Sequence, residues 1–344
     1  MKGIRLKIAL FVLLMLTVPM LSLQIRADVQ PNEGNHAISS SVSRPKAATS
    51  AGRGTAEVFK VLRVSTGEVE SVPATEYVCG VLAAELSDGF GPEAYKAQAV
   101  AAYTYACYKR EDAARNPANR AVLGGADLSD DPAHFEAFYS KAQAQAKWGD
   151  SFAARWQKIE SSVDAVRDQV LLYGGRPIAA FFFSISSGVT ESSQDVWGSA
   201  LPYLTEVQSP WDRSAPGYET SVTVPLADFK KKISQAAASP CFDGDPGGWI
   251  TDIGRSGAGG VLRAKVCGVA LTGAKLRSLF GLRSTNFTQV WQGGNFVFTV
   301  HGSGHGVGMS QYGAAYLATQ GKSWRQILAY YYPGTSIGNY VWPQ

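Results

Sequence analysis

Charge is scarce in this chain, and basic clusters are missing. Of 344 residues 17% are charged, the net charge is +4 at pH 7, and no Lys/Arg-rich run or basic–aromatic interleaving occurs. That excludes the electrostatic footprint of a nucleic-acid binder. Cysteine is equally sparse: Cys79, Cys107, Cys241 and Cys267 form no CxxC, so a thiolate metal site is not expected. Also absent are GxSxG, a Walker A loop, HExxH and the kinase signatures, which removes the common motif-borne hydrolase, nucleotide and zinc-protease chemistries.

Long hydrophobic runs are missing too, except for one. Lys2, Arg5 and Lys7 precede the uncharged run Ile8 to Leu23, the basic and apolar regions of an export signal. The run is short beside the roughly 20 residues of a comfortable membrane span. Its small-residue cleavage pattern, Ile25-Arg26-Ala27, is poor. Residues 1–25 are therefore expected to be an uncleaved membrane anchor, with a cleaved signal as the alternative. Either way the body is exported. Residues 26–55, rich in Ser, Ala, Pro and Gly, are a flexible linker, and residues 56–344 form the domain. In an exported chain disulfides are permitted. Cys241–Cys267, across a Gly-rich loop, is the pairing the sequence favours, against four small buried thiols.

Periodicity within the domain predicts a hairpin over Val58–Val64 and Val69–Val72, with Thr66-Gly67 turning it. A helix follows Pro73 and stops around Gly89–Gly91. Pro92 opens an Ala-rich second helix, with Glu93 as an exposed first-turn residue. Asn116 to Asp131 reads as loop. Trp156, Ile159, Val163 and Val166 mark an amphipathic helix. "QVLLYGGRPIAAFFFS" is a hairpin on Gly174-Gly175, and "GGVLRAKVCGVALTG" alternates as a strand. Ala274 to Phe280 is a short helix ending at Gly281. Ser323 and Gln326 form a capping box for the last helix, whose stripe is Trp324, Ile327, Leu328 and Tyr331. Strands and helices interleave without βαβ regularity. The expected class is α+β, mixed helices and short antiparallel strands around a substrate cleft.

One residue is out of place in this pattern. In "YVCGVLAAEL", Val78, Val81 and Leu82 share a helix face, and Glu85 joins it. Carboxylates are rarely buried unless paired, and burial raises a carboxyl pKa, yielding an acid still protonated near neutral pH. Glu85 is accordingly the candidate catalytic acid, the alternative being a carboxylate paired with Arg or capping backbone. Downstream, "SISSGVTESSQDVWG" offers Ser184, Ser186, Ser187, Thr190, Glu191 and Asp195, followed by Trp197 and Tyr203. Hydroxyls and carboxylates beside aromatic rings suit a sugar, with its polar rim and flat apolar faces. In "HGSGHGVG" three glycines separate His301 from His305, so helical metal-ligand spacing does not apply, and GxGxxG fits in no register. What remains is a tight backbone crossing with His301 and His305 as hydrogen-bonding residues.

Together these segments resemble the stage II sporulation protein D family, which includes the amidase enhancers. "YVCGVLAAELSDGFGPEAYKAQAVAAYTYA" resembles its helix pair, "AFFFSISSGVTESSQDVWGSALPYLTEVQSPWD" its polar loop and "LTGAKLRSLFGLRST" its third block. "GHGVGMSQYGAAYLATQGKSWRQILAYYYPG" resembles its C-terminal signature. The resemblance implies a lytic transglycosylase acting on peptidoglycan glycan strands, mainly those stripped of stem peptides by a partner amidase or endopeptidase. It implies Glu85 as the acid/base and places Ser184, Ser186 and Glu191 on functional positions; Thr190, Trp197, Tyr203 and His305 complete the expected substrate-binding set. Some relatives bind zinc after the second helix. Here residues 108–150 hold His134 and no cysteine, so no metal and no cofactor is expected. A non-catalytic glycan-binding activator of a cell-wall amidase is the alternative reading.

Overall fold

Strand structure begins where alternation begins. In the computed structural model, which describes residues 57–131 and 134–340, β1 (Val58–Arg63) and β2 (Glu68–Pro73) form the expected hairpin. Phe59 and Val61 point into the core from β1 while Lys60 faces out, as a period of two requires. The expected anchor and linker lie outside the described residues.

Helix α1 (Ala74–Glu85) follows directly and ends at Glu85, where Leu86 turns extended. The sequence reading carried it on to the glycines at 89–91. The early stop has an identifiable cause: Lys158 donates to the carbonyls of Asp88 and Phe90 at 2.7 and 2.8 Å, holding residues 86–91 as a loop. Pro92 then opens α2 (Pro92–Arg115) as expected. Ala97, Ala101 and Ala106 are fully buried along it, and this small-residue surface lets α2 serve as the central helix of the first core.

The Asp/Asn/Pro/Gly stretch after α2 is not all loop. It contains α3 (Pro117–Val122), with proline in its first turn, and β3 (Leu128–Ser129), which pairs in parallel with β1. Next, α4 (Lys141–Trp148) starts at a capping box of Ser140 and Gln143, the same S-x-x-Q signal that marks the last helix. The amphipathic α5 (Phe152–Asp164) buries Trp156, Ile159 and Val163. The Gly174-Gly175 hairpin forms from β4 (Gln169–Tyr173) and β5 (Arg176–Pro177). Then come β6 (Phe182–Phe183) and the single-turn α6 (Ser193–Trp197).

A second core runs from β7 (Glu219–Pro225) through α7 (Leu226–Ala236) and β8 (Ile250–Arg255) to a hairpin. That hairpin, β9 (Val261–Val266) and β10 (Val269–Thr272), replaces the single strand read from alternation. Its turn residues Cys267 and Gly268 both take positive φ, 49° and 83°, as a tight two-residue turn demands. After α8 (Gly273–Phe280), which ends at Gly281 as expected, β11 (Phe287–Gln292) and β12 (Asn295–His301) pair antiparallel. Phe229 stacks on Phe296 at 3.9 Å between centroids. Cys241 donates its N–H to the Cys267 carbonyl at 2.8 Å, yet all four cysteines are free thiols; the favoured bridge is not formed.

The chain returns to the first core through β13 (Met309–Ser310), α9 (Gln311–Thr319), α10 (Trp324–Tyr331) and β14 (Ser336–Asn339). The Ser323–Gln326 capping box is present, and Ile327, Leu328 and Tyr331 are buried. β13 pairs in parallel with β6, and β14 antiparallel with β4. Helices and small, mostly antiparallel sheets thus make an α+β fold, as expected.

Candidate functional site

Glu85 is the last helical residue of α1, half buried. Its Oε1 accepts the Ala137 N–H at 3.2 Å. Burial raises its pKa, while the Ala137 N–H and the Gln311 side chain, facing it from the start of α9, oppose the rise. The negative end of a helix dipole works in the same direction as burial, and no basic residue occupies the last turn of α1. The product is a carboxyl group that keeps its proton to higher pH than an ordinary glutamate.

Ala137 reaches Glu85 because residues 136–139 lie flat against α1. Tyr139 donates to the Gly80 carbonyl at 3.1 Å, and Phe138 stacks on Tyr77 at 5.4 Å and 12°. Gly80 permits this contact: a Cβ there would sit 2.3 Å from the Phe138 ring and 2.4 Å from the Tyr139 carbonyl oxygen.

The residues expected to bind substrate separate into two groups. Ser184 sits next to the acid's surroundings, since its carbonyl accepts the Tyr312 N–H at 3.1 Å, one residue beyond Gln311. Trp197 is 43% exposed and packs on Phe181 at 4.6 Å and His305 at 5.4 Å. His305 is held neutral: burial and the nearby Arg277 lower its pKa to about 4, and its Nδ1 accepts the Val307 N–H at 3.1 Å. His301, by contrast, contacts Glu219 at 3.0 Å.

The other four lie inside. Ser186 is 1% exposed; its N–H donates to Asp212 Oδ2 at 2.8 Å. Thr190 is fully buried, donating to the Thr205 carbonyl at 3.1 Å and accepting the Val207 N–H at 2.8 Å. Tyr203, also buried, accepts the Ala179 N–H at 3.3 Å. Glu191 accepts the Gly260 N–H at 3.1 Å, tying the loop to the second core, and burial raises its pKa.

Three residues in this region escape the sequence reading. Asp212 takes both the Ser186 N–H and, at 2.6 Å, the Ser310 hydroxyl, fastening the polar loop to the start of α9. Gln311 and Glu136 flank Glu85. The polar Ser310-Gln311 pair at a helix start was a usable signal; Glu136, in an aperiodic stretch, carried none. Glu93 also differs from expectation, being half buried, with its Oε2 accepting the Trp324 N–H at 2.8 Å. Among the described residues no group of three His, Cys, Asp or Glu side chains is placed to hold a metal ion.

Comparison with known proteins adds a lineage to this geometry. A family model described as Stage II sporulation protein matches residues 63–173, the stretch that carries α1, α2 and residues 136–139. The chain is 37% identical to the Stage II sporulation protein D of Bacillus subtilis (strain 168), over 98% of this chain and 96% of that protein. It is likewise 37% identical to the Stage II sporulation protein D of Bacillus amyloliquefaciens, over 96% of this chain and 93% of that one. A more distant similarity, 25% identity, covers 76% of this chain and 40% of the Amidase enhancer of Bacillus subtilis (strain 168).

Proposed function

We propose that this chain, which belongs to the stage II sporulation protein D family, is a lytic transglycosylase that cuts peptidoglycan glycan strands, preferentially those stripped of stem peptides. The observation that carries the reading is the half-buried Glu85 carboxyl with its raised pKa, held by Ala137 at a helix end. A lytic transglycosylase works with one acid/base, whereas typical glycosidases need two carboxyl groups flanking the bond. Glu85 donates its proton to the glycosidic oxygen as the anomeric C–O bond breaks. Its carboxylate then takes the proton of the sugar's own 6-hydroxyl, whose oxygen closes onto the anomeric carbon. The product is a 1,6-anhydro sugar, and the proton is back on Glu85. The exposed face of Trp197 beside neutral His305 suits stacking against a sugar ring.

The pH dependence follows from the direction of the shift. The acid must start protonated, so kcat should hold on the acid side and fall as pH rises through the elevated pKa of Glu85. Incubation with denuded strands, followed by mass spectrometry, tests the reaction; anhydro-terminated fragments are expected. The 25%-identical Amidase enhancer favours one competing reading, a glycan-binding activator of a cell-wall amidase. Strands bound but uncut, together with a faster amidase, would install that reading instead. An amidase or endopeptidase partner suits the first reading, whose strands must be stripped of peptides, and an amidase suits the second as the enzyme activated.

The site of action is proposed from residues 1–25. Among the described residues no helix is long and apolar enough to cross a membrane, so anchoring rests on the run Ile8 to Leu23. The full chain should fractionate with membranes and resist high-salt extraction, with its domain outside the cytoplasm. Recovery of a soluble species starting near Asp28 would identify a cleaved signal.

A further inference from the structure

The reaction above leaves one carboxyl group unused beside the acid. Glu136 is 7% exposed, and among the described residues neither of its carboxylate oxygens has a hydrogen-bond partner. Its place is fixed by its neighbours: Ala137 donates to Glu85, Phe138 stacks on Tyr77, and Tyr139 bonds to Gly80. The segment therefore runs along the face of α1 between Tyr77 and Glu85, a span of about 12 Å at the rise of an α-helix.

The groups around Glu136 come from several elements. Tyr77 and Glu85 face it from α1, Tyr105 from α2, and Tyr332 from just beyond α10. On the neighbouring Phe135 ring lies the Lys109 ammonium, at 4.7 Å. Burial, then the charge of Glu85, push the Glu136 carboxyl well above the usual carboxylate range; the Tyr77 hydroxyl, close but short of a hydrogen bond, eases that slightly. Two carboxyls so placed do not ionise together, so Glu136 stays protonated when Glu85 gives up its proton. Such a buried group cannot reach an anomeric carbon, so it is not the second carboxyl of a two-acid glycosidase.

We propose that Glu136 is a positioning residue for Glu85, its buried carboxyl turning its O–H to the Glu85 carboxylate formed when the glycosidic oxygen is protonated. This rests on the lytic transglycosylase reading. Hydrogen bonds from a neutral acid to a carboxylate are among the strong ones. The bond holds Glu85 towards the 6-hydroxyl and loosens when Glu85 recovers its proton. Glu136 keeps its own proton throughout, so the balance of the reaction is unchanged.

Glu136→Gln and Glu136→Leu test this on denuded strands across pH. The Gln variant keeps an N–H donor and should stay within about threefold of wild-type kcat, whereas the Leu variant should lose ~10–100-fold, the scale of one hydrogen bond to a charged group. KM should not change. Without its donor the Glu85 carboxylate is less stable, so the alkaline limb of the Leu variant's kcat profile should move up by about one pH unit. A folded Leu variant with wild-type kcat and an unmoved limb overturns the proposal. So does a Gln variant as slow as the Leu variant, because the Glu136 proton would then itself be transferred.

Thermal unfolding supplies an arm independent of catalysis. A raised folded-state pKa means that the stability Glu136 contributes is full below its unfolded value, about 4.3, and is lost as pH rises towards the folded value. Glu136→Gln should therefore raise Tm more at pH 8 than at pH 4, and by less in a Glu85→Gln background, where the repelling charge is gone. Equal gains at both pH values would show that Glu136 is not a held neutral acid and sink the inference. If the wild type cuts no strands, the enzymatic reading falls and takes this role with it. If the wild type cuts and Glu136→Leu is unaffected, only the inference falls.

Discussion

Glu85→Gln should lower strand cleavage by roughly 10²–10⁴-fold, the usual share of general acid–base catalysis, while the protein stays folded and still binds glycan. Glutamine keeps the length of the side chain and an oxygen for the Ala137 N–H, but has no proton to give. The stability change has a definite sign. The raised folded-state pKa of Glu85 means that its stabilising share is full below the unfolded value and lost as pH rises through the folded one. The variant should therefore match the wild type near pH 4 and exceed it at pH 8, as expected when a neutral amide replaces a carboxylate that is costly to bury. The control must lie on the same helix. Glu93 does not serve, because it receives the N–H that opens α10; Glu76, exposed in the first turn of α1, does. Equal cleavage by Glu85→Gln and Glu76→Gln would remove Glu85 from the chemistry.

Gly308→Ala should destabilise the fold by about 2–5 kcal/mol. Gly308 has φ of 83°, where an L side chain costs about 1–2 kcal/mol. Its added Cβ would lie 2.0 Å from the Phe181 carbonyl oxygen. That oxygen cannot retreat freely, because it accepts the Met309 N–H at 3.1 Å and the Tyr332 hydroxyl at 2.7 Å. Overpacking adds about 1–3 kcal/mol, and the sum is a large part of the 5–15 kcal/mol that holds a typical domain together. Gly67→Ala is the comparison: φ is 74°, but nothing lies within 4 Å, so only the backbone penalty applies. Chemical denaturation of both variants should separate them by at least 1 kcal/mol. Equal losses would mean that the crossing at Phe181 is slack.

The sequence makes the acid legible and leaves its surroundings obscure, for a physical reason. Glu85 stands out because three apolar neighbours define a face by periodicity, and an acid on that face breaks it. Gln311, Ala137 and Glu136 meet it through tertiary contacts that no periodic pattern encodes. The polar loop misleads in the opposite way. Hydroxyls at Ser186 and Thr190 read as surface chemistry, yet they replace missing backbone partners inside an irregular segment, bonding Ser209, Thr205 and Val207. Buried irregular backbone must find partners somewhere, and short hydroxyl side chains supply them. The hairpin at Cys267-Gly268 was lost because hydrophobic alternation continues on both sides of a two-residue turn. The helix at Lys141–Trp148 was recoverable, since its capping box is written as plainly as the one at Ser323.

The second core enters and leaves through one doorway. Glu219, where β7 begins, is the register partner of His301, where β12 ends, and Gly302 donates to the Tyr218 carbonyl at 2.7 Å. Antiparallel partners sit about 5 Å apart, so a tight turn could join residues 219 and 301 and bypass everything between them. Evolution can therefore lengthen, shorten or swap this block as a cassette without changing the distance from Asp212 to the glycine loop. Such an exchange must restore the contacts that bind the cassette to the polar loop, among them the Gly260 N–H on Glu191 and the Ala258 carbonyl that accepts the Ser187 hydroxyl.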